Sequence, residues 1–506
     1  MSFSRRSFLG AAGLLAGGFT LPGFKQVGRP MRRPKNIIFC VADGMAMSTM
    51  TMADQFQRVV YGRPSYWSEL TKKDYALNGL QVTESLNSLV TDSSAAASAW
   101  GCGRLIWNGQ VNEYPDGTKL KTLCQIMQEK GIRTGLVTTT TITHATPAGF
   151  AVNMKHRGME AEIAAEYLKV GVDVLMGGGS QFFQAARRKD GRDLFAEFSK
   201  ASYTVARNRD EMLRLGDGKL LGIFSSSHMP FTVDHVNSPE LMKSTPTLVE
   251  MTRIALSNLR KSPNGFLLQI EGGKVDHGAH ANDLAAMLYD QIAFEEAVKE
   301  AIEFALEDGE TVVVVTTDHA CGGPALNGAG HEYIESTDGL KRLAGMKASY
   351  GPINQDLAGG VTASRVREVV EARLGIALTP AEAEAVVSAA ANKPPFGDSI
   401  FYRSVGATLA MVLGNHTKIT WTSGNHTSDH VLVTAVGPGK EAFAGLRHSN
   451  TYFDTLLSFK GLSHSNPKMT FEEAAKHYEK IRGDIPPEAE AHWSGSYAGS
   501  FAEITT

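Results

Sequence analysis

The chain has 506 residues, of which 42% are hydrophobic and 20% charged, a globular composition that excludes both a disordered polymer and a membrane-embedded one. Its formal charge is −3 and its isoelectric point near 6.6; with no long Lys/Arg block, nothing argues for nucleic acid as a partner. A chain of this length buries a large core and suggests a big α/β domain with insertions.

Paired arginines open the chain in Ser4-Arg5-Arg6-Ser7-Phe8-Leu9, before an apolar stretch at 8–21. That is the layout of a twin-arginine export signal, so residues 1–30 read as a targeting segment and the mature protein is expected to be periplasmic or secreted. The stretch is short for a membrane span, and there is no other candidate span. Cys40, Cys102, Cys124 and Cys321 are scattered without ligand spacing, and we expect free, packed thiols.

The run Asn36-Ile37-Ile38-Phe39-Cys40-Val41-Ala42 reads as a central parallel strand. It ends in Asp43-Gly44, where α/β folds place their ligands. Residues 45–88 read as helix and loop. Next comes Thr91-Asp92-Ser93-Ser94, opening a string of very small residues up to Trp100. Asp92 or Ser93 can cap a helix there. A hydroxyl at a helix N-terminus sits among donors that favour an anion, but serine attacks only when a base or metal activates it.

An amphipathic helix is expected over 120–130 and a strand from Arg133, running into Thr141, Thr143, His144 and Thr146. Arg157 comes next; aimed into a phosphate site, its planar fork would bind two oxygens at once. Gly177-Gly178-Gly179 lacks the Lys-Ser/Thr of a P-loop and reads as a turn. The strand Phe266-Leu267-Leu268-Gln269-Ile270 runs into the densest polar cluster, from Glu271 through Asp276, His277 and His280. Asp276 and His280 are four apart, so on a helical turn they share a face and can hold one metal.

A packing helix spans 283–307. The β-branched strand from Thr311 ends in Asp318-His319. Between about 325 and 425 the core pattern breaks and reads as an insertion. Gly424-Asn425-His426-Thr427 precedes the next core strand, at 431–436; the same four residues occur at 414–417. His426 is preferred over His416 as a ligand because a core strand comes directly after it. A helix near 470–482 belongs to a tail with no evident chemistry. If the strands are parallel, Asp43, Glu271, Asp318 and His319 converge on one sheet edge near Asp276, His280 and His426. Such Asp/His sets suit Zn2+, and carboxylate with hydroxyl suits Mg2+.

These stretches, with Ala145-Thr146-Pro147-Ala148 and Arg157, match in order the pattern of the alkaline phosphatase family, which the chain resembles over about residues 36–440. The resemblance implies an α/β three-layer sandwich: a central, mostly parallel sheet flanked by helices. It places the core at 33–330 and 426–465; a crown-like insertion at 331–425 and a C-terminal helix and tail at 466–506 lie outside the resemblance. It implies hydrolysis of small phosphate monoesters, broad in range and best at alkaline pH, by a homodimer. Ser93 would form a phosphoserine. Asp276, His280 and His426 would hold one zinc, Asp43, Asp318 and His319 a second, and Asp43, Thr146 and Glu271 a magnesium. Arg157 would clamp phosphate, beside Asp92, His144 and His277. His144 and His277 stand where Asp and Lys often occur in bacterial members. The rival readings are a diesterase or sulfatase of the same superfamily, or a non-catalytic phosphate-binding protein.

Overall fold

The computed structural model describes residues 33–490 apart from 396, 398, 403 and 488; the expected export segment and the end of the tail lie outside the described residues. The frame is a ten-stranded sheet. Its strands are β1 (Asn36–Val41), β2 (Ala76–Val82), β3 (Arg133–Thr141), β4 (Val174–Gly178), β5 (Tyr203–Ala206), β6 (Lys219–Ile223), β7 (Phe266–Glu271) and β8 (Thr311–Thr316), joined later by two more. Four two-residue strands come between: β9 (Ala320–Cys321), β10 (Ala325–Leu326), β11 (Ile419–Thr420) and β12 (His426–Thr427); β13 (Val431–Val436) and β14 (Gly445–His448) complete the large sheet. Its order is β14-β2-β13-β8-β1-β7-β3-β4-β6-β5. From β8 to β5 every pairing is parallel, and β13 lies antiparallel to both β8 and β2.

The continuous apolar runs have a direct cause. Side chains alternate across a strand, and helices cover both faces of the sheet. Ile37, Phe39 and Val41 of β1 enter one apolar cluster, and Ile38, Cys40 and Ala42 enter the other. β8 does the same with Val312 and Val314 against Val313 and Val315. The helix Leu284–Asp308 lies over the Ile38 face, capped by Asp283, which accepts the Ala286 N–H at 3.1 Å.

The helices of the 331–425 segment put Leu340, Ile353, Val366, Val386 and Leu409 into that same cluster. A buried acid and a half-buried one pin the segment down: Asp283 accepts the Tyr350 N–H at 2.5 Å, and Asp234 accepts the Ser349 N–H at 2.8 Å and its hydroxyl at 2.6 Å. The four cysteines are buried and free.

Three strands depart from the sequence reading. β2 lies inside 45–88, where helix and loop were expected. Its residues are half-buried or exposed apart from Gln81, so Ala-Leu-Asn-Gly-Leu-Gln-Val carries no apolar run. β5 and β14 are four-residue edge strands, one with a single covered side chain at each end and the other exposed along most of its length. The expected 120–130 helix is shorter, Leu123–Gln128, with a capping box at Thr122.

Candidate active site

β8, β1 and β7 are neighbours, and Val41 lies across from both Thr316 and Glu271. The three strands therefore stop level, and the loops that leave them share one edge of the sheet. Asp43, Glu271, Asp318 and His319 meet there, all fully buried. Gly44 makes the turn possible. Its φ is +71°, its N–H donates to Asp318 at 3.1 Å, and a Cβ on it would lie 2.3 Å from Asp276 Oδ1. Only glycine suits the left-handed backbone and lets β1 turn against the helix Lys274–His280.

The helix Ser93–Cys102 is capped by Asp92, which accepts the Ala95 N–H at 2.8 Å. Ser94 donates its hydroxyl to the same carboxylate, 2.7 Å from Oδ2. The Ser93 hydroxyl is not so engaged and lies 3.2 Å from His319 Nε2. Asp92 also accepts the Gly109 N–H (2.9 Å) and Arg157 Nη1 (3.2 Å). Arg157, 4% exposed, donates Nη2 to His144 Nε2 at 3.0 Å. A guanidinium can only donate, so that contact leaves the neutral imidazole's proton on Nδ1. His277, half-buried, packs edge-to-face against His144 and His228 at 5.5 and 4.4 Å between ring centres.

Three groups of ligand atoms lie within 4.8 Å of one another: Asp276, His280, Cys321 and His426; Asp43, Asp318 and His319; and Asp43, His144 and Glu271. Thr146 Oγ1 donates to Asp43 at 3.3 Å beside the last. In the first group, His280 Nδ1 lies 2.6 Å from the Gly424 carbonyl and His426 Nδ1 2.8 Å from the Thr91 carbonyl. A carbonyl only accepts, so both Nδ1 atoms carry the proton. In neutral rings both Nε2 atoms are then acceptors, yet they face each other at 2.9 Å, with Asp276 Oδ2 3.2 Å from His280 Nε2. Acceptors so placed call for a shared cation.

The carboxylates say the same. Among the described residues, Asp43 Oδ1 and Asp276 Oδ1 are buried with no hydrogen-bond partner, each a cost of about 1–3 kcal/mol or more if left so, and Asp318 Oδ2 has only His319 Nε2 near it, at 3.1 Å. Burial, then Asp318, Asp276 and Glu271, push the Asp43 carboxyl well above the usual range. Burial also raises Glu271, to about 7. At Asp276 burial acts upward too, but His280, His426 and His319 hold it well below normal. Carboxylates driven apart in this way fit a basin whose counter-charge is a set of divalent ions.

The sequence-derived residues thus gather at one place, with Cys321 and His228 added. Cys321 stands opposite His426 in the two-stranded β9/β12 ladder, and nothing in its spacing marked it. His228 comes after β6, so the strand-end rule that picked out Asp43 could have found it. His416 lies elsewhere, 3.1 Å from Glu382 on the insertion helix Pro380–Ala390.

Comparisons with known proteins agree with this geometry. The chain is similar to alkaline phosphatase 3 of Bacillus subtilis (strain 168), 33% identical over 421 residues, 81% of this chain and 86% of that protein. It is 36% identical over 321 residues to the repressible alkaline phosphatase of Saccharomyces cerevisiae, 58% of this chain and 56% of that protein. Among solved structures, the Thermus thermophilus alkaline phosphatase superposes with a TM-score of 0.82 at 34% identity, covering 92% of this chain and all of that one. The family model for alkaline phosphatase matches residues 34–462, and with that span the chain belongs to the alkaline phosphatase family, hydrolases of phosphoric monoesters.

Proposed function

We propose that this phosphatase works through a phosphoserine on Ser93. The observation that carries this is the division of labour at the helix N-terminus: Ser94 is tied to Asp92, while Ser93 faces His319 across 3.2 Å. Asp276, His280 and His426 would hold one zinc, Asp43, Asp318 and His319 a second, and Asp43, Thr146 and Glu271 a magnesium, with His144 close to the third group. Bound there, such ions supply Lewis-acid charge that lowers the pKa of a hydroxyl and offsets charge on attacking and leaving oxygens.

The chain's own residues do the rest. The Arg157 fork holds two phosphoryl oxygens while Asp92 fixes its direction. The Ser93 oxygen forms a bond to phosphorus as the ester P–O bond breaks, and the alcohol leaves with a proton. Water then cleaves the phosphoserine, releasing inorganic phosphate and returning the Ser93 hydroxyl. The backbone N–H groups at the helix N-terminus favour the anion at both stages. Because Ser93 must lose its proton, activity is expected to rise toward alkaline pH. Since the named groups all serve the phosphoryl end, a broad range of alcohol moieties is expected.

Acid quenching during turnover of labelled p-nitrophenyl phosphate, with peptide mapping and metal analysis, tests this. Label on Ser93 with zinc and magnesium present is expected; label on Ser94, or none, overturns it. Faster turnover of the bis-ester than of the monoester would favour the diesterase reading.

Export by the twin-arginine route and a homodimeric state belong to the same proposal. The Arg5→Lys/Arg6→Lys variant is expected to retain the protein in the cytoplasm, and light scattering of the mature protein to give twice the chain mass.

A further inference from the structure

Residues 463–490 lie beyond the span that the family matches, yet they are stitched to the loops that carry the phosphate clamp. Asn466, 4% exposed, donates Nδ2 to the carbonyls of Cys102 (2.8 Å) and Lys121 (2.9 Å) and accepts the Lys121 N–H at 2.8 Å. Cys102 ends the helix that starts at Ser93. Arg104 Nε donates to the Asn466 carbonyl at 2.9 Å.

The helix Phe471–Gly483 then places two rings, seven residues apart, on Trp107. Phe471 stacks at 5.6 Å and 6°, and Tyr478 at 4.5 Å and 25°. The next two residues hold the clamp. Asn108 Oδ1 accepts the Asp92 N–H at 3.0 Å, Gly109 N–H donates to Asp92 Oδ2 at 2.9 Å, and the Gly109 carbonyl accepts the Arg157 N–H at 2.7 Å. Farther on, the Ala489 backbone lies against Gly158, where a Cβ would be 2.0 Å from the Ala489 carbonyl oxygen.

We propose that this C-terminal strap is a positioning element for phosphate, setting the Asp92–Arg157 pair through Trp107 on one side and Gly158 on the other. The proposal rests on the reading that Arg157 binds phosphate. The strap's contacts named above reach Cys102, Arg104, Trp107, Lys121 and Gly158, next to the clamp residues 108–109 and 157, and not the strand ends that carry the metal-ligand groups. Loosening the strap therefore shifts the clamp and spares the metals. Misplacement by about an ångström is enough to matter, since geometry errors of that size cost up to about a hundredfold.

The test uses the full-length, metal-loaded enzyme and measures KM, kcat, the inhibition constant of inorganic phosphate, metal content and Tm. In Phe471→Ala/Tyr478→Ala, and in Gly158→Ala, KM and the phosphate inhibition constant are expected to rise about tenfold. Metal content should be unchanged and kcat should fall less than KM rises. Tyr478→Phe keeps the ring and should restore wild-type values. A lowered Tm with unchanged phosphate affinity overturns the proposal, because a merely structural tail behaves that way. Arg157→Ala separates the two levels. If it weakens phosphate inhibition and the strap variants do not, the strap proposal alone falls; if Arg157→Ala leaves inhibition unchanged, the clamp reading falls and takes the strap with it.

Discussion

At the scale of single residues, the site depends on what is absent as much as on what is present. Gly44 has room for no side chain, with Asp276 Oδ1 2.3 Å from where a Cβ would stand. Gly44→Ala must move either β1's turn or the helix carrying Asp276 and His280. We expect it to lose metal and activity together, with destabilisation above ~1 kcal/mol from the positive φ alone; full metal content by mass spectrometry would contradict this. His277 is a different case. Burial, then His228, Lys274 and His144, hold its imidazole well below the usual pKa, which favours the uncharged ring. His277→Lys puts a flexible ammonium at that position. Inorganic phosphate is then expected to inhibit about tenfold more tightly, ~1.4 kcal/mol; equal or weaker inhibition refutes the idea.

At the scale of elements, the site was legible because of one rule: apolar strand, then an acid or imidazole. β1, β7 and β8 each obey it, and their adjacency in a parallel sheet turns three separate strand ends into one place. What escaped was set by partners far along the chain. β2 and β14 are a covering edge with polar or exposed side chains, so no periodicity announces them. Cys321 joins the His426 group through a two-residue ladder, too short to have a sequence signal. The strap's role was equally invisible, since an aromatic at 471 and another at 478 mark only a helix face until Trp107 is found beneath them. The 331–425 segment was seen as a break in pattern, but not its fastening. Asp283 caps the helix Leu284–Asp308 and also takes the Tyr350 N–H, and burial, opposed by those donors, raises its carboxyl to about 7. The folded state thus holds this proton more tightly than the unfolded chain does. The stabilisation is fully present below about pH 4, where the unfolded group titrates, and is lost as pH rises through about 7. Asp283→Asn cannot titrate. Its Tm deficit relative to wild type is therefore expected to shrink between pH 4 and 7 and then level off; a deficit that widens over that range would show that burial does not govern this group.

At the scale of the whole molecule, the core is arranged around a charge that the chain does not supply. Asp43, Glu271, Asp276 and Asp318 meet, buried, at the ends of the central strands of a ten-stranded sheet, where an unpaired buried charge costs several kcal/mol. Divalent ions bound there would turn this liability into cross-links between the ends of β1, β7 and β8, the helix Lys274–His280 and β12. Saturation at about a hundred times Kd adds ~2.7 kcal/mol per site that binds only the folded chain. Chelation should therefore lower Tm by much more than the loss of a surface ligand would. The pH dependence gives the sharper test. Without ions, Asp43 and Glu271 keep folded pKa values above their unfolded ones. Protonation of Glu271 softens the repulsion at pH 6, and that relief is lost as pH rises through about 7, while the raised Asp43 acts in the same direction. With ions bound, the same carboxylates are ionised at both pH values and the slope disappears. Calorimetry of metal-loaded and chelated protein should find a Tm gap that is larger at pH 9 than at pH 6 and closes on adding zinc and magnesium. A gap that is equal at both pH values, or larger at pH 6, would mean that these carboxylates do not depend on bound cations for their place in the fold.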